Sequence, residues 1–131
     1  IVAGIRRMFA RPDRLSRQWY DAAADEHQRV MRDYRHRRAF MATLRQIYLE
    51  EAFGEEGFWD RLPMMTTPAL FVWGDRDRLV PASFERHVVA AVPHSQSIVM
   101  HDCGHVPQFE HPEQTAEITR TFIDNDGVTF L

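Results

Sequence analysis

The sequence predicts an α/β fold, and three observations carry that prediction. Two short apolar runs, Ala69-Leu70-Phe71-Val72-Trp73 and Ser97-Ile98-Val99-Met100, stand on either side of a segment with helical periodicity. The first run is apolar throughout instead of alternating, as a parallel strand covered on both faces requires. Each run leads into a loop rich in reactive side chains: Gly74-Asp75-Arg76-Asp77-Arg78-Leu79-Val80-Pro81, and Cys103-Gly104-His105-Val106-Pro107-Gln108-Phe109-Glu110-His111-Pro112. A helix between two such runs lets them pair in parallel as one βαβ unit. An Asp and a His are then expected at the carboxyl ends of neighbouring strands, where α/β proteins place their sites.

The elements follow in order along the chain. Arg11-Pro12-Asp13 marks a helix start, and Phe40, Leu44, Ile47 and Tyr48 fall at i, i+4, i+7 and i+8 of a helix running to about Glu51. Gly54 to Thr67, with Gly57-Phe58-Trp59 and Pro63, reads as a connector into the first strand. Pro68 and Gly74 bound that strand. From Ala82 to Val92, Phe84, Val88 and Val92 recur every four residues with Ala91 beside them, while Glu85, Arg86 and His87 fall off the stripe. This is the crossover helix, and Pro93 ends it. Pro112 opens a last helix whose inner stripe is Ile118, Phe122 and Ile123, stopped by the turn Asn125-Asp126-Gly127. Val128 to Leu131 is an apolar tail with no assignable partner.

Composition narrows the function. An apolar fraction of 44% with 27% charged residues describes a soluble globular protein, with no run approaching the roughly 18 to 20 apolar residues of a membrane span. A net charge of −3 gives no electrostatic case for nucleic acid as a partner. All sixteen basic residues are Arg, which rules out a lysine nucleophile within the chain. A single Cys forms no internal disulfide, and cytoplasm is the default location. No cofactor, metal or membrane partner is expected.

From about Thr66 to Asp124 the chain resembles the C-terminal end of an α/β-hydrolase: strand, G-x-x-D loop, helix, strand, G-H loop, then a helix opened by Glu-x-Pro. The resemblance implies a partial α/β-hydrolase fold, with a helical cap-like N-terminal half followed by the βαβ unit and a C-terminal helix. It divides the chain into cap-like and core helices over 1–62 and a core segment over 63–131, together one incomplete domain. It also implies that Asp77 is the acid and His105 the base of a nucleophile–His–acid triad, with Asp75 not the matching residue. Gly104 allows the tight approach before the His, and Glu110 holds the loop by hydrogen bonds. Trp19, Tyr20, Met31 and Tyr34 could line a pocket under a cap, but aromatic and Met residues at helical spacing are more often core.

No G-x-S-x-G elbow occurs among the six glycines, and the chain opens on Ile1 instead of Met. It is therefore expected to be a C-terminal fragment whose nucleophile and oxyanion loop lie upstream. The expected function is the acid and general base of an ester hydrolase, with diketone cleavage and epoxide or haloalkane hydrolysis also permitted by the resemblance. The alternative is a non-catalytic binding or interaction module of the same fold. The expected partners are a small ester-like substrate and either a second copy of the chain or the missing half.

Two rival constellations carry less weight. His101, Asp102, Cys103 and His105 are metal-ligand types within five residues, yet alternate residues at a strand end point to opposite sides and no second ligand pair follows. Arg29, Arg32, Arg35, Arg37 and Arg38 could hold phosphate, but Asp25, Glu26 and Asp33 are interleaved with them. A solvated, salt-bridged helix face is the better account.

Overall fold

The computed structural model describes residues 1–49 and 57–125. Several expectations therefore lie outside the described residues: the side chains of Ile47 and Tyr48, the helix end near Glu51, the start of the connector at Gly54, the turn at Asp126-Gly127 and the tail from Val128. The elements in chain order are α1 (Val2–Arg7), a 3-10 turn (Pro12–Arg14), α2 (Arg17–Arg32), α3 (Tyr34–Leu49), α4 (Phe58–Arg61) with a 3-10 turn (Leu62–Met64), and β1 (Leu70–Gly74). A 3-10 turn (Ala82–Phe84) then runs into α5 (Glu85–Ala91), followed by β2 (Gln96–Met100), α6 (Pro107–Glu110) and α7 (Pro112–Asp124).

The two apolar runs pair in parallel as expected, in register from Leu70 opposite Gln96 to Gly74 opposite Met100. Trp73 Nε1 donates to Ser97 Oγ at 3.0 Å, and that hydroxyl donates to Glu85 Oε1 at 2.8 Å. One polar chain thus ties both strands to α5. Val92, at the foot of the crossover, is completely buried.

The helical half differs from expectation in three places. Pro12–Arg14 forms one 3-10 turn only, and the long helix α2 starts later, where Ser16 Oγ accepts from Trp19 N at 3.1 Å. Ser at this position replaces the missing intrahelical acceptor of the first turn. The arginine-rich stretch does not lie on one helix. Asp33 turns extended at φ −67° and ψ 122°, and its Oδ1 accepts from Arg35 N at 2.8 Å and His36 N at 3.3 Å, so it closes α2 and caps α3. The solvated face itself is as read, with Arg29 on Glu26 at 2.6 Å. The first helix, Val2–Arg7, is an element the sequence pattern did not reveal.

One apolar cluster sits between α2 and the second loop. Phe9, Tyr20 and Val106 are its buried residues, with Val2, Ile5, Met8, Leu15 and Trp19 packed against them. Phe9, Trp19 and Tyr20 meet edge to face, with centroids 5.2 to 5.9 Å apart. Each such pair is worth about 0.5–1.5 kcal/mol beyond the area it buries. Tyr20 also donates its hydroxyl to Pro12 O at 2.9 Å, so this ring is core and does not line a pocket. Tyr34, by contrast, is exposed.

Coverage of the sheet is thinner than the apolar runs suggest. Leu70 to Trp73 are only half-buried, Val99 is 44% exposed, and Phe84 and Ile123, expected on inner stripes, are 46% and 64% exposed. Two strands present too little surface to bury the stripes of both flanking helices. The strand ends, however, touch. A Cβ on Gly74 would collide with the carbonyl oxygens of Gly104 and Cys103, and one on Gly104 would fall 2.6 Å from Ala10 N. Gly104→Ala should therefore cost about 1–3 kcal/mol in a chemical denaturation experiment, because backbone atoms surround the new methyl group and cannot rotate away.

Candidate active site

The register of the sheet brings the two loops together. Asp75 N donates to Met100 O at 3.0 Å and Arg76 N to Cys103 O at 2.9 Å, so parallel pairing continues past the strands into both loops. Within that frame Asp77 and His105 meet: His105 Nδ1 lies 2.8 Å from Asp77 Oδ2. An ionised carboxylate only accepts, so Nδ1 carries the proton and donates it. Nε2 has no hydrogen-bond partner among the described residues, and the ring is about one-third exposed while the Asp77 side chain is 7% exposed. The imidazole is held at one nitrogen and open at the other.

Asp77 is itself fixed by its own loop. Its Oδ1 accepts from Leu79 N at 2.7 Å and Val80 N at 3.0 Å, closing an Asx-type turn that aims Oδ2 at the histidine. Burial pushes the carboxyl up, but the His105 hydrogen bond and the two amides outweigh it, and the net position is below the usual carboxylate range. Asp75 takes a different partner. Its Oδ2 lies 2.7 Å from His101 Nδ1, and its Oδ1 accepts from Cys103 N at 3.2 Å. The two acids of the loop thus serve two different histidines.

The histidine loop is clamped from outside the βαβ unit. Glu110 accepts from Gly104 N with Oε1 and from Ala10 N with Oε2, each at 2.7 Å, and His105 N donates to Met8 O at 2.6 Å. The expected loop-holding hydrogen bond of Glu110 is present, and it reaches a segment the sequence did not connect to the loop. Nothing in Met8-Phe9-Ala10 has a motif, and a contact made by backbone groups leaves no side-chain signal to read. Asp102 carries a positive φ of 53° and receives Arg11 Nε at 2.9 and 3.0 Å, a side-chain pair whose members lie 91 residues apart. Asp tolerates this left-handed region better than most residues.

The four metal-ligand types of this loop do not share a centre. His101 faces Asp75, Asp102 faces arginines, His105 faces Asp77, and Cys103 is buried with its Sγ 3.6 Å from Gly104 O. Burial pushes the Cys103 thiol up to about 11, which keeps it protonated near neutral pH. Among the described residues no three such groups converge on a point.

The parallel strand pair thus ends in a carboxylate–imidazole contact with the second imidazole nitrogen open, the arrangement that the family resemblance implies. Residues 2–118 match the model of the alpha/beta hydrolase family, and the chain belongs to that family. Among curated proteins it is 37% identical over 62 residues to a pimeloyl-[acyl-carrier protein] methyl ester esterase of Xanthomonas oryzae, covering 47% of this chain and 24% of that protein. It is 35% identical over 68 residues to a 2-hydroxy-6-oxononadienedioate/2-hydroxy-6-oxononatrienedioate hydrolase of Pseudomonas putida, covering 52% and 24%. The matched stretch is thus about a quarter of the length of these relatives. Among solved structures, a serine hydrolase involved in carbazole degradation superposes with a TM-score of 0.56 at 27% identity, over 70% of this chain and 35% of that one. A membrane phospholipase A gives a TM-score of 0.51 at 34% identity, over 53% and 23%. Among the described residues no helix is long and apolar enough to cross a membrane.

The depressed Asp77 carboxyl has a stability consequence of definite sign. A group whose folded value lies below its unfolded value stabilises the fold above the unfolded value, near pH 3.9, and that stability is lost as pH falls through the folded value. Thermal melts between about pH 5 and pH 2 should therefore show a steep loss of melting temperature in the native chain and a shallower one in Asp77→Asn.

Proposed function

We propose that this chain supplies the acid and general base of a nucleophile–His–acid triad for ester hydrolysis, with the nucleophile contributed by a segment upstream of Ile1. The observation that carries the reading is the 2.8 Å contact between His105 Nδ1 and Asp77 Oδ2, which leaves Nε2 open. In this role Asp77 fixes the tautomer, so that Nε2 holds a lone pair and takes the proton of the attacking hydroxyl. As the imidazole becomes positive, the buried carboxylate stabilises it, and the same Nε2–H then protonates the leaving group. A serine nucleophile fits the likeness to a serine hydrolase, and ester cleavage fits the likeness to a methyl ester esterase. Residues 1–62 act as cap and core helices over the catalytic segment 63–131.

The roles make separable demands on the two acids. In the full-length protein, Asp77→Asn and His105→Ala should each lower kcat by about a thousandfold or more, while Asp75→Asn costs less than about tenfold. Steady-state kinetics on an activated ester would test this, and a larger loss at Asp75 would show the wrong carboxylate assigned. The 131-residue chain by itself should give no turnover that His105→Ala abolishes.

We further infer that the exposed faces of this chain associate, with a second copy or with the upstream part of the fold. The half-covered strands and the exposed Val99 and Ile123 support this, since bare apolar strands pair readily. Light scattering of the purified chain at micromolar concentration should show a dimer or larger species. A sharply melting monomer of about 15.4 kDa would overturn it.

A further inference from the structure

Beside the Asp77–His105 pair, several arginines gather around one carboxylate. Three guanidiniums face the single carboxylate of Asp102: Arg11 Nε at 2.9 Å, Arg76 Nη1 at 3.2 Å and Arg14 Nη2 at 3.5 Å. The carboxylate is only 16% exposed, whereas the three arginine side chains are 48% to 60% exposed, so the cations look outward past their shared partner. Arg11 spends only its Nε on Asp102, and its two Nη groups have no hydrogen bond among the described residues. Arg78, adjacent to Asp77, is exposed and has no ion pair among the described residues. Asp13 pairs with Arg6 at 2.7 Å while its side chain stays 92% exposed, and Asp77 and Glu110 lie in the adjoining loops.

These side chains surround a space. A cavity of about 580 Å³ is lined by Ala10, Arg11, Pro12, Asp13, Arg14 and Arg78. It is joined to the catalytic loops at three points: Arg78 follows the acid, Asp102 precedes the histidine by three residues, and Ala10 is clasped to Gly104 through Glu110. Planar guanidiniums with unspent N–H groups match the oxygens of carboxylates and phosphates and offer little to a neutral ligand.

We propose that this cavity binds an oxyanion, the carboxylate or phosphate monoester group of a substrate, through Arg11, Arg14 and Arg78. Resting on the hydrolase reading above, the ester cleaved would then carry a negative group remote from the scissile bond. Arg76 and Asp102 hold the arginine frame in place, and Arg14 and Arg78 meet the ligand from the open side. Because the site is partly solvated, its affinity should fall with salt.

The test is binding, not turnover, so its failure leaves the assignment of Asp77 and His105 standing, and failure of that assignment leaves the site standing. The 15N-labelled 131-residue chain is titrated with inorganic phosphate and, separately, with glutarate, following the Arg Nε–H resonances by NMR, with chloride at matched ionic strength as the control. The expected result is a saturable shift at Arg11 and Arg14, absent with chloride, and weakened about tenfold in Arg14→Gln/Arg78→Gln but not in Arg120→Gln. Arg78→Gln alone removes an exposed, unpaired side chain and leaves the fold intact. It should weaken binding about threefold, and it decides the matter if the double variant unfolds. Tighter phosphate assigns a phosphate monoester, and tighter glutarate assigns a carboxylate. Shifts that follow ionic strength alone, or that persist in the arginine variants, overturn the proposal.

Discussion

One carboxylate joins the parts of this molecule that sequence keeps farthest from each other. Glu110 receives the amides of Gly104 and Ala10 on its two oxygens, both at 2.7 Å. Charge-assisted bonds of this length are the strong ones, and here each satisfies a backbone donor that would otherwise be left without a partner beside the loop. The consequence is geometric. With Ala10 fixed against Gly104, Met8 O falls within 2.6 Å of His105 N, and Phe9 is delivered into the aromatic cluster with Trp19 and Tyr20. The core and the histidine loop therefore share one anchor.

The acid side of the pair is built locally, and the histidine side is not. Asp77 obtains its orientation from amides two and three residues further along, so its placement is written in a short stretch of chain. His105 depends on the meeting of strands, on a glycine at the one place where backbone crowds backbone, and on a segment from the far end of the sequence. This division explains what could be read in advance. The βαβ unit follows from the apolar runs and the helical periodicity between them, while the pairing of Asp77 with His105 and the loop-holding role of Glu110 follow from the family resemblance. The grip of Met8 and Ala10 on the loop does not, because it is made by backbone groups and by a carboxylate about 100 residues away, and neither the helix at Val2–Arg7 nor the cap at Asp33 has a motif that marks it.

The hydrophobic pattern marks the type of each element better than its depth of burial. Apolar runs at Leu70–Trp73 and stripes ending at Phe84 and Ile123 announce strands and helices, yet these side chains stay half or more exposed. Periodicity records which face a residue occupies, not how much protein lies across from it. Polar pairing is more complete than apolar burial. Every buried side-chain nitrogen and oxygen among the described residues has a partner, so the polar groups are satisfied even where apolar surface is left open.

The span of the Glu110 clasp also sets an order of events. Ala10 and Glu110 are 100 residues apart, and Arg11 and Asp102 are 91 apart, whereas the contacts of α2 and of the Asp77 turn are local. Closing so long a loop must be compensated before its bonds give any return, which makes such contacts late and the chains that depend on them slow to fold. The histidine loop is therefore locked late, after the local contacts of α2 and of the Asp77 turn have formed.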